Sequence, residues 1–471
     1  VVIVVLAPVW WGGEVPATKD TVLTNVPLAV YHSRALRGEE SLFWCHYGGC
    51  GFPVLAESQG GFFHPLNVIT ALIFPESWVY QARWVCAVMA GCLAMFAFLR
   101  GCGISAWGAF AGAIGYALGG YWVARLDMLP LLMAAPVLPL GWLAVEWMVQ
   151  KRWRQGVALG IAAVAWGLLA GYFQLTVISA LGIVLYGIGR GLASRRIASI
   201  LLGLLLIGCL GVGIAAVQLV PTLELAARSD RLSATELQAG EYSLFPLQLA
   251  GMVFPRIFGF QRPVSFDSPE EWNPSNYWGS GVFWEACPYV GMGIFVLALL
   301  ALFKKHSSAI WLWVIALIGI LLALGKYAPI GASIQKLAVL SSFRTPSRWL
   351  LLSSGAMAAL GGKGMDALGN GFEHRKSWRI IILVIVACLT IGLWIGSSRI
   401  GSMENTLRTA DLSGDRLARM LRYAPSTLSP WAIDQMIPLI TLLCLGIIVL
   451  LKLPKSIVVI IVAVEIVFFA C

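Results

Sequence analysis

The chain has 471 residues, of which 59% are hydrophobic and 12% charged, with a formal net charge of +10. Soluble globular chains carry about 25% charged residues, and the mean hydropathy here is +0.82. These figures exclude a soluble enzyme, a disordered chain, a disulfide scaffold and a fibre, and they predict an all-α, polytopic helical membrane protein.

The first apolar stretch, 1–10, is about half a bilayer long as a helix, and the chain stops inside another apolar run at Cys471. Both ends therefore read as truncated, and 1–471 reads as one transmembrane domain. Further spans are predicted at 78–99, 105–123, 130–149, 156–170, 175–189, 198–220, 288–303, 309–324, 348–362, 379–397, 433–451 and 456–471. With the incomplete first one that makes about 13. Those at 156–170, 175–189 and 348–362 are shorter than the usual ~20 residues.

Charge orients them. The loops at 100–104, 150–155, 190–197, 304–308, 363–379 and 452–455 hold fifteen Lys or Arg against two acids, Asp366 and Glu373. The opposite loops hold seventeen against nineteen. The basic side is cytoplasmic by the positive-inside rule, so the net charge is a topology signal and not a nucleic-acid footprint. Two short spans within 156–189 keep the flanking basic clusters on that one side. Three long segments then face outward, 11–77, 221–287 and 398–432, with a shorter one at 325–347. The spans hold few ionisable groups (Arg83, Glu146 and Glu465, all near helix ends), so the chemistry is expected at the outer membrane boundary.

In the first outer loop, Asp20 precedes a helix-like stretch with Val22, Val26, Ala29, Val30 and Leu36 on one face and Gly38 at its end. Such a helix would lie along the interface. Asp20 fits an N-cap and also fits a catalytic acid; spacing alone leaves both open, with the cap the commoner case. Phe43–Pro53 is dense in Gly and aromatic residues, as in a shaped loop. Glu57, Gln59 and His64 follow, and Glu57 and Gln59 suit a sugar hydroxyl or a turn cap equally well. Cys45 and Cys50 are close enough in sequence for a disulfide without requiring one.

The second loop carries Arg256 and ends at Phe283-Trp284-Glu285. The short loop ends in Phe343-Arg344-Thr345-Pro346-Ser347-Arg348. Two outward Arg run against the positive-inside trend and suit bidentate phosphate contact, or snorkelling to lipid headgroups. No CxxC, HExxH, Walker or EF-hand pattern occurs, and no metal or other cofactor is predicted. Convergence of Asp20, Glu57 and Glu285 on a divalent ion stays open.

In order along the chain, Asp20 with its helix, Gly51-Phe52-Pro53-Val54-Leu55-Ala56-Glu57-Ser58-Gln59, Phe63-His64-Pro65-Leu66-Asn67, Gln218–Leu225, Phe254-Pro255-Arg256, Phe283-Trp284-Glu285, Tyr289-Val290-Gly291 and Phe343–Trp349 form a joint pattern. On these motifs, over roughly 15–370, the chain resembles the YfhO family of bacterial membrane proteins, which looks like a branch of the GT-C glycosyltransferases. It departs from that family at Trp44-Cys45-His46, where Trp-Asn-Pro is common, and at His64, where Tyr is frequent. Glu57 stands where a smaller Asn or Asp is common. Family members often continue into an outward C-terminal domain, which this sequence does not include.

The resemblance implies an inverting glycosyltransferase in the bacterial plasma membrane, with its site facing outward. It implies a sugar donor linked to polyprenyl phosphate and a cell-envelope glycan or protein as acceptor. Asp20 matches the position of the usual catalytic acid and would serve as general base. Arg344, Arg348 or Arg256 would stabilise the departing phosphate. Glu57, Gln59, His64 and Glu285 would hold sugar or acceptor. Two other readings are a lipid-linked sugar flippase, which needs a polar path where only scattered residues such as Gln174 and Gln218 occur, and a non-catalytic assembly protein, at odds with the loop acids present.

Overall fold

The computed structural model describes residues 21–229, 240, 242–260, 276–303, 307–334, 345–368, 391–395, 398, 414–451 and 454–470. Regular structure among them is helical, apart from an isolated antiparallel bridge between Cys45 and Phe52. The helices used below are α1 (Val26–Leu36), α2 (Pro65–Ile73), α3 (Val79–Gly101), α4 (Ala106–Ala117), α5 (Leu129–Met133), α6 (Val137–Val149), α7 (Trp153–Leu169), α8 (Phe173–Ala193), α9 (Ile197–Ile214), α10 (Ala216–Ala227), α11 (Met292–Leu300), α12 (Ser307–Ala323), α13 (Leu350–Ala367), α14 (Gly414–Thr427), α15 (Ile433–Leu451) and α16 (Lys455–Ala470).

Helix α13 is the centre of the bundle. It packs against α4, α11 and α12, and nearly every side chain on it is buried. Its small residues permit this. A Cβ added to Gly364 would lie 1.7 Å from the Leu297 carbonyl oxygen, and one on Gly362 would lie 2.7 Å from that of Gly108. Close backbone approach at small residues is how helices associate where no hydrophobic effect drives them together. The weak apolar signal of 348–362 now has a cause: this helix faces protein on all sides, and Ser353 donates to the Ala316 carbonyl at 2.8 Å. Helix α9 is the converse. Its mean hydropathy is 2.6, and only 22% of its residues are buried, as for a face turned to lipid.

The alternation of loops is built into the packing. At one end, Gln150 reaches the Gly101 carbonyl at 2.8 Å and Trp153 that of Ser199 at 3.2 Å. Asp366 accepts from the Ser105 hydroxyl and from its backbone N–H at 2.8 Å, with Lys455 at 3.8 Å. Arg190 pairs with Glu146 at 2.6 Å. These contacts bring together the described parts of the loops at 100–104, 150–155, 190–197, 363–379 and 452–455. Residues 21–77, 276–287 and 345–348 gather at the other end.

Several boundaries differ from the expected spans. The predicted 198–220 span breaks at Ala215, and α10 then runs through Pro221 as far as Ala227. The 105–123 span ends as helix at Ala117 and resumes as a single turn, Gly120–Val123. The 130–149 span divides before Pro136, whose missing N–H cannot continue a helix. Four helices are long and apolar enough to cross a membrane among the described residues: α3, the joined Leu129–Val149, α8 and α9. The predicted first span and most of 379–397 lie outside the described residues.

Helix α1 lies where a helix was expected and ends before Gly38, at φ +82°. Its buried face is wider than the expected apolar stripe. Leu28, Ala29, Tyr31, His32, Ser33 and Ala35 turn inward, and Val22 is exposed. The inward face is partly polar because its partners are polar; of the expected stripe, Ala29 is buried and Val26, Val30 and Leu36 pack partly buried against the core.

Candidate functional site

The first loop is stitched to the bundle end by backbone contacts. Gln218 donates to the Leu55 carbonyl at 2.6 Å, and Ser58 donates to that of Gly171 at 3.2 Å. Gly171 sits at φ +79°, and a Cβ there would lie 2.0 Å from the Ser58 carbonyl oxygen. Only glycine meets both demands. Asn67 at the start of α2 donates to the carbonyls of Gly60 and Gly61 at 3.1 and 2.9 Å and so fixes the Gln59–Gly61 turn.

Beside this scaffold lies a buried charge cluster. Glu285 is 4% exposed. Its carboxylate accepts from Arg348 Nη2 at 2.6 Å and from Arg125 Nη2 at 3.1 Å. Arg125 also donates to the carbonyls of Glu285, at 3.0 Å, and Tyr121, at 2.8 Å. Arg348 donates to Gln174 Oε1 at 2.7 Å. The two guanidiniums lie over aromatic rings, Arg125 over Tyr121 at 4.3 Å and Arg348 over Tyr172 at 5.2 Å, where the ring quadrupole favours a cation. Burial pushes the Glu285 carboxyl up, but the charges and hydrogen bonds of Arg125 and Arg348 outweigh it, so the group lies below its usual range. One carboxylate against two guanidiniums leaves the cluster one positive charge in excess.

A second cluster lies between the loop and α3. Arg83 is 2% exposed and lies within 2.6 Å of His32 Nδ1, with the Asn67 carbonyl at 3.4 Å. It has no carboxylate partner among the described residues. His32 and His64 are both fully buried. Burial first, and the Arg83 charge second, push each imidazole down to about 3, so both are neutral at ordinary pH. His32 stacks on Phe62 at 4.5 Å, and His64 meets Trp166 edge-on at 4.5 Å. Arg83 Nε, Asn67 Oδ1, His32 Nε2 and both nitrogens of His64 are buried without a hydrogen-bond partner. Such a concentration is unusual, since most buried polar atoms are satisfied.

Of the residues singled out from sequence, Glu285 and Arg348 come together. Arg256 is not with them: it pairs with Asp434 at 3.2 Å and lies over Phe260 at 4.8 Å. Glu57 accepts the Gln59 backbone N–H at 3.0 Å, as a turn cap does, while the Gln59 side chain is exposed. His64 belongs to the buried Arg83 cluster and not to an open surface. Cys45 and Cys50 are free thiols, and the Cys45 backbone pairs with Phe52. Asp20 and Arg344 lie outside the described residues. No group of three or more His, Cys, Asp or Glu gathers among the described residues in a way that could hold a metal. Arg125 and Tyr172 were not anticipated. The signal for Arg125 was the one that flagged Arg348, a cation on the side where the positive-inside rule disfavours it.

An all-helical bundle with apolar membrane-length helices and polar clusters at one end defines a polytopic membrane protein. The whole chain, residues 1–471, matches the family model described as bacterial membrane protein YfhO, and the chain belongs to that family. The match extends beyond the 15–370 region that carried the resemblance. No curated protein and no solved structure matches the chain.

Proposed function

We propose that this protein is a GT-C-like glycosyltransferase that moves a sugar from a polyprenyl-phosphate donor to a cell-envelope acceptor at the outer face of the bacterial plasma membrane. The observation that carries this reading is the buried, net-positive Arg125–Glu285–Arg348 cluster at the end of the bundle opposite the basic loops. Fixed cations in a water-poor site favour a departing phosphate far more than they would in water. Arg348 is held in place by Glu285 and Gln174, so little reorganisation accompanies the appearance of charge.

In this mechanism an acceptor hydroxyl attacks the anomeric carbon as the bond to the phosphate oxygen breaks. The bonding pair leaves with the polyprenyl phosphate, the configuration inverts, and the hydroxyl proton passes to the general base. Asp20 is the base assigned from the family pattern. Glu285 is unsuited to that task because both its oxygens are engaged by guanidiniums; it positions Arg348. Gln59, exposed on the loop turn, is free to meet sugar hydroxyls.

The test is transfer of labelled sugar from polyprenyl phosphate in membranes, with wild type beside Asp20→Ala and pooled envelope acceptors. Loss of transfer in the variant at normal expression is expected. Equal transfer in both removes Asp20 as the base. Absence of transfer by the wild-type chain overturns the reading in favour of transport or assembly.

A further inference from the structure

The stretch 38–53 stands apart by composition. It holds two carboxylates, Glu39 and Glu40, and no Lys or Arg, in a chain whose net charge is +10. Its large exposed side chains are aromatic: Phe43 is 69% exposed, Trp44 49% and Tyr47 64%. His46 between them is exposed as well. Neither buried cluster uses these rings, and large apolar groups crowded at a surface mark a binding face where scattered ones do not.

The rings are exposed but held. The Tyr31 hydroxyl on α1 reaches the carbonyls of Ser41 and Trp44 at 2.7 and 2.8 Å. Cys45 and Phe52 exchange two backbone hydrogen bonds of 2.9 Å. The Trp44 indole lies against Gly51, where a Cβ would come within 2.5 Å of Nε1. Tyr47 meets the Tyr31 ring edge-on at 6.2 Å and donates its hydroxyl to Glu40 at 2.5 Å. The His46 ring lies 4.1 Å from that of Tyr47. Fixing an exposed side chain costs entropy, and the same order lowers the cost of binding a ligand there.

The loop rests on an apolar cluster of its own, with Leu28, Tyr31 and Ala35 from one flank of α1 and Phe62 beside them. Val26, Ala29 and Val30 on the other flank meet the main core. The aromatic loop is thus carried on the flank of α1 turned from the bundle. Its chemistry selects the occupant. Two carboxylates without a cation repel anionic headgroups and polyphosphate chains. Lipid tails are better served by an aliphatic stripe, which α2 presents in Ile69, Leu72 and Ile73. A sugar ring meets both features of the loop. Its C–H groups are weakly positive and settle on the negative face of an aromatic ring, and its hydroxyls donate to carboxylates.

We infer that residues 39–52 form a saccharide-binding platform for a neutral or amine-bearing envelope glycan. Trp44 and Tyr47 stack on its rings, and Glu39 and Glu40 accept from its hydroxyls or an ammonium group. The same loop continues through Val54–Glu57 to the exposed Gln59, so a glycan bound here is carried on the loop that bears the Gln59 turn. That this glycan is the acceptor rests on the transferase reading above; that the loop binds a glycan does not.

The experiment measures binding of neutral, amine-bearing and anionic envelope oligosaccharides to the purified full chain in lipid nanodiscs, as wild type, Trp44→Ala, Tyr47→Ala and Glu40→Gln. Neutral or amine-bearing oligosaccharides should bind, and either alanine variant should weaken them by about five-fold or more, as loss of a preformed aromatic contact does. Glu40→Gln should weaken an amine-bearing ligand more than a neutral one. Exposure of all three side chains keeps the variants folded. Absence of binding across the panel, affinity unmoved by both alanine variants, or preference for the anionic ligands overturns the platform. Cys50, exposed at the end of the loop, reports the other occupants. A membrane-impermeant maleimide should label it in nanodiscs, with Cys50→Ser as control. Labelling in detergent but not in nanodiscs would make the loop a lipid anchor and overturn the inference. A dimer that Trp44→Ala converts to a monomer would make the patch a contact between copies and overturn it equally. Where sugar transfer is measurable, Trp44→Ala should raise the acceptor KM and leave kcat. Transfer unchanged while glycan binding is lost overturns the acceptor role and leaves the transferase reading standing. Glycan binding lost in Trp44→Ala while no donor supports transfer supports the platform and removes the transferase reading.

Discussion

Replacing Glu285 with Gln isolates the electrostatic role assigned to it, because the side-chain shape is kept and only the charge is lost. Its carboxylate lies 3.1 Å from Arg125 and 2.6 Å from Arg348. Two guanidinium charges sharing one carboxylate, taken as about 6 Å apart, repel by about 3 kcal/mol at an effective dielectric of about 20. Each also loses an attraction of similar size, which is partly offset because a carboxylate no longer has to be desolvated. Breaking a buried pair from one side typically costs about 3–5 kcal/mol, and that is the loss expected here. The assay is the thermal midpoint of the purified chain, with Glu224→Gln as reference. Glu224 pairs with Arg228 at the surface, with side chains 61% and 76% exposed, where such pairs contribute about 0–1 kcal/mol. Adding Arg348→Gln to Glu285→Gln should recover part of the loss, since the two changes share one network. The reasoning is refuted if Glu285→Gln lowers the midpoint no more than Glu224→Gln. It is also refuted if the difference vanishes when salt rises from about 0.15 to about 0.5 M, because screening acts on exposed pairs and little on buried ones.

Lowering the pH should destabilise the protein through His32 and His64. Their folded values, about 3, lie below the ordinary 6.5, so the unfolded chain takes up protons that the folded one refuses. The stabilisation is complete above about pH 6.5 and is lost as pH falls toward 3, at up to about 1.4 kcal/mol per pH unit for each histidine. Thermal midpoints at pH 7 and pH 5 measure it, and His64→Phe should roughly halve the slope; a flat profile in the wild type would contradict the burial of both rings. Gly171→Ala should cost at least about 1–2 kcal/mol from the positive φ alone, and more because the new Cβ meets the Ser58 carbonyl. Hydrogen exchange should then quicken across 54–65, where the loop is pinned; unchanged protection there would mean that the Ser58–Gly171 contact does not hold the loop.

Much of the architecture was legible because it is written in one dimension. Apolar runs, and the count of cations in alternate loops, need no knowledge of contacts, and the helix packing repeats the alternation they imply. What failed was what depends on neighbours. The buried face of α1 carries His32 and Ser33, which are buried because Arg83 and the Ala71 carbonyl receive them. No apolar periodicity encodes that. Glu285 and Arg348 were legible as polar residues at an expected interface, but their partners lie far off in sequence, Arg125 160 residues from Glu285 and Gln174 174 residues from Arg348. Arg83 was visible as an ionisable residue at a helix end. What sets it apart is that it meets a neutral imidazole and no carboxylate among the described residues, and that can be read only once the neighbours are in place.

The charges at the loop end do not look arranged for stability alone. Arg83, Arg125 and Arg348 have side chains buried or nearly so, while Glu285 is the buried carboxylate that meets two of them. Apolar residues of similar volume in place of buried ions often leave a protein as stable or make it more so. Among the described residues these cations outnumber their carboxylate, and such a set is better suited to an anion that arrives and leaves than to a permanent partner. The scaffold fits the same purpose. Asn67 and Gly171 fix the loop through backbone contacts, so the cations and the Gln59 turn keep their geometry when the site is empty, and preorganisation of this kind is what a charge-stabilising site requires. The clusters adjoin through shared elements: residues 169–171 back the Gly61 turn while 172–174 meet Arg348, and Arg125 belongs to the segment that continues into α5 beside Arg83. The two clusters are therefore carried on one frame of shared elements, so a change at either is expected to be felt at the other.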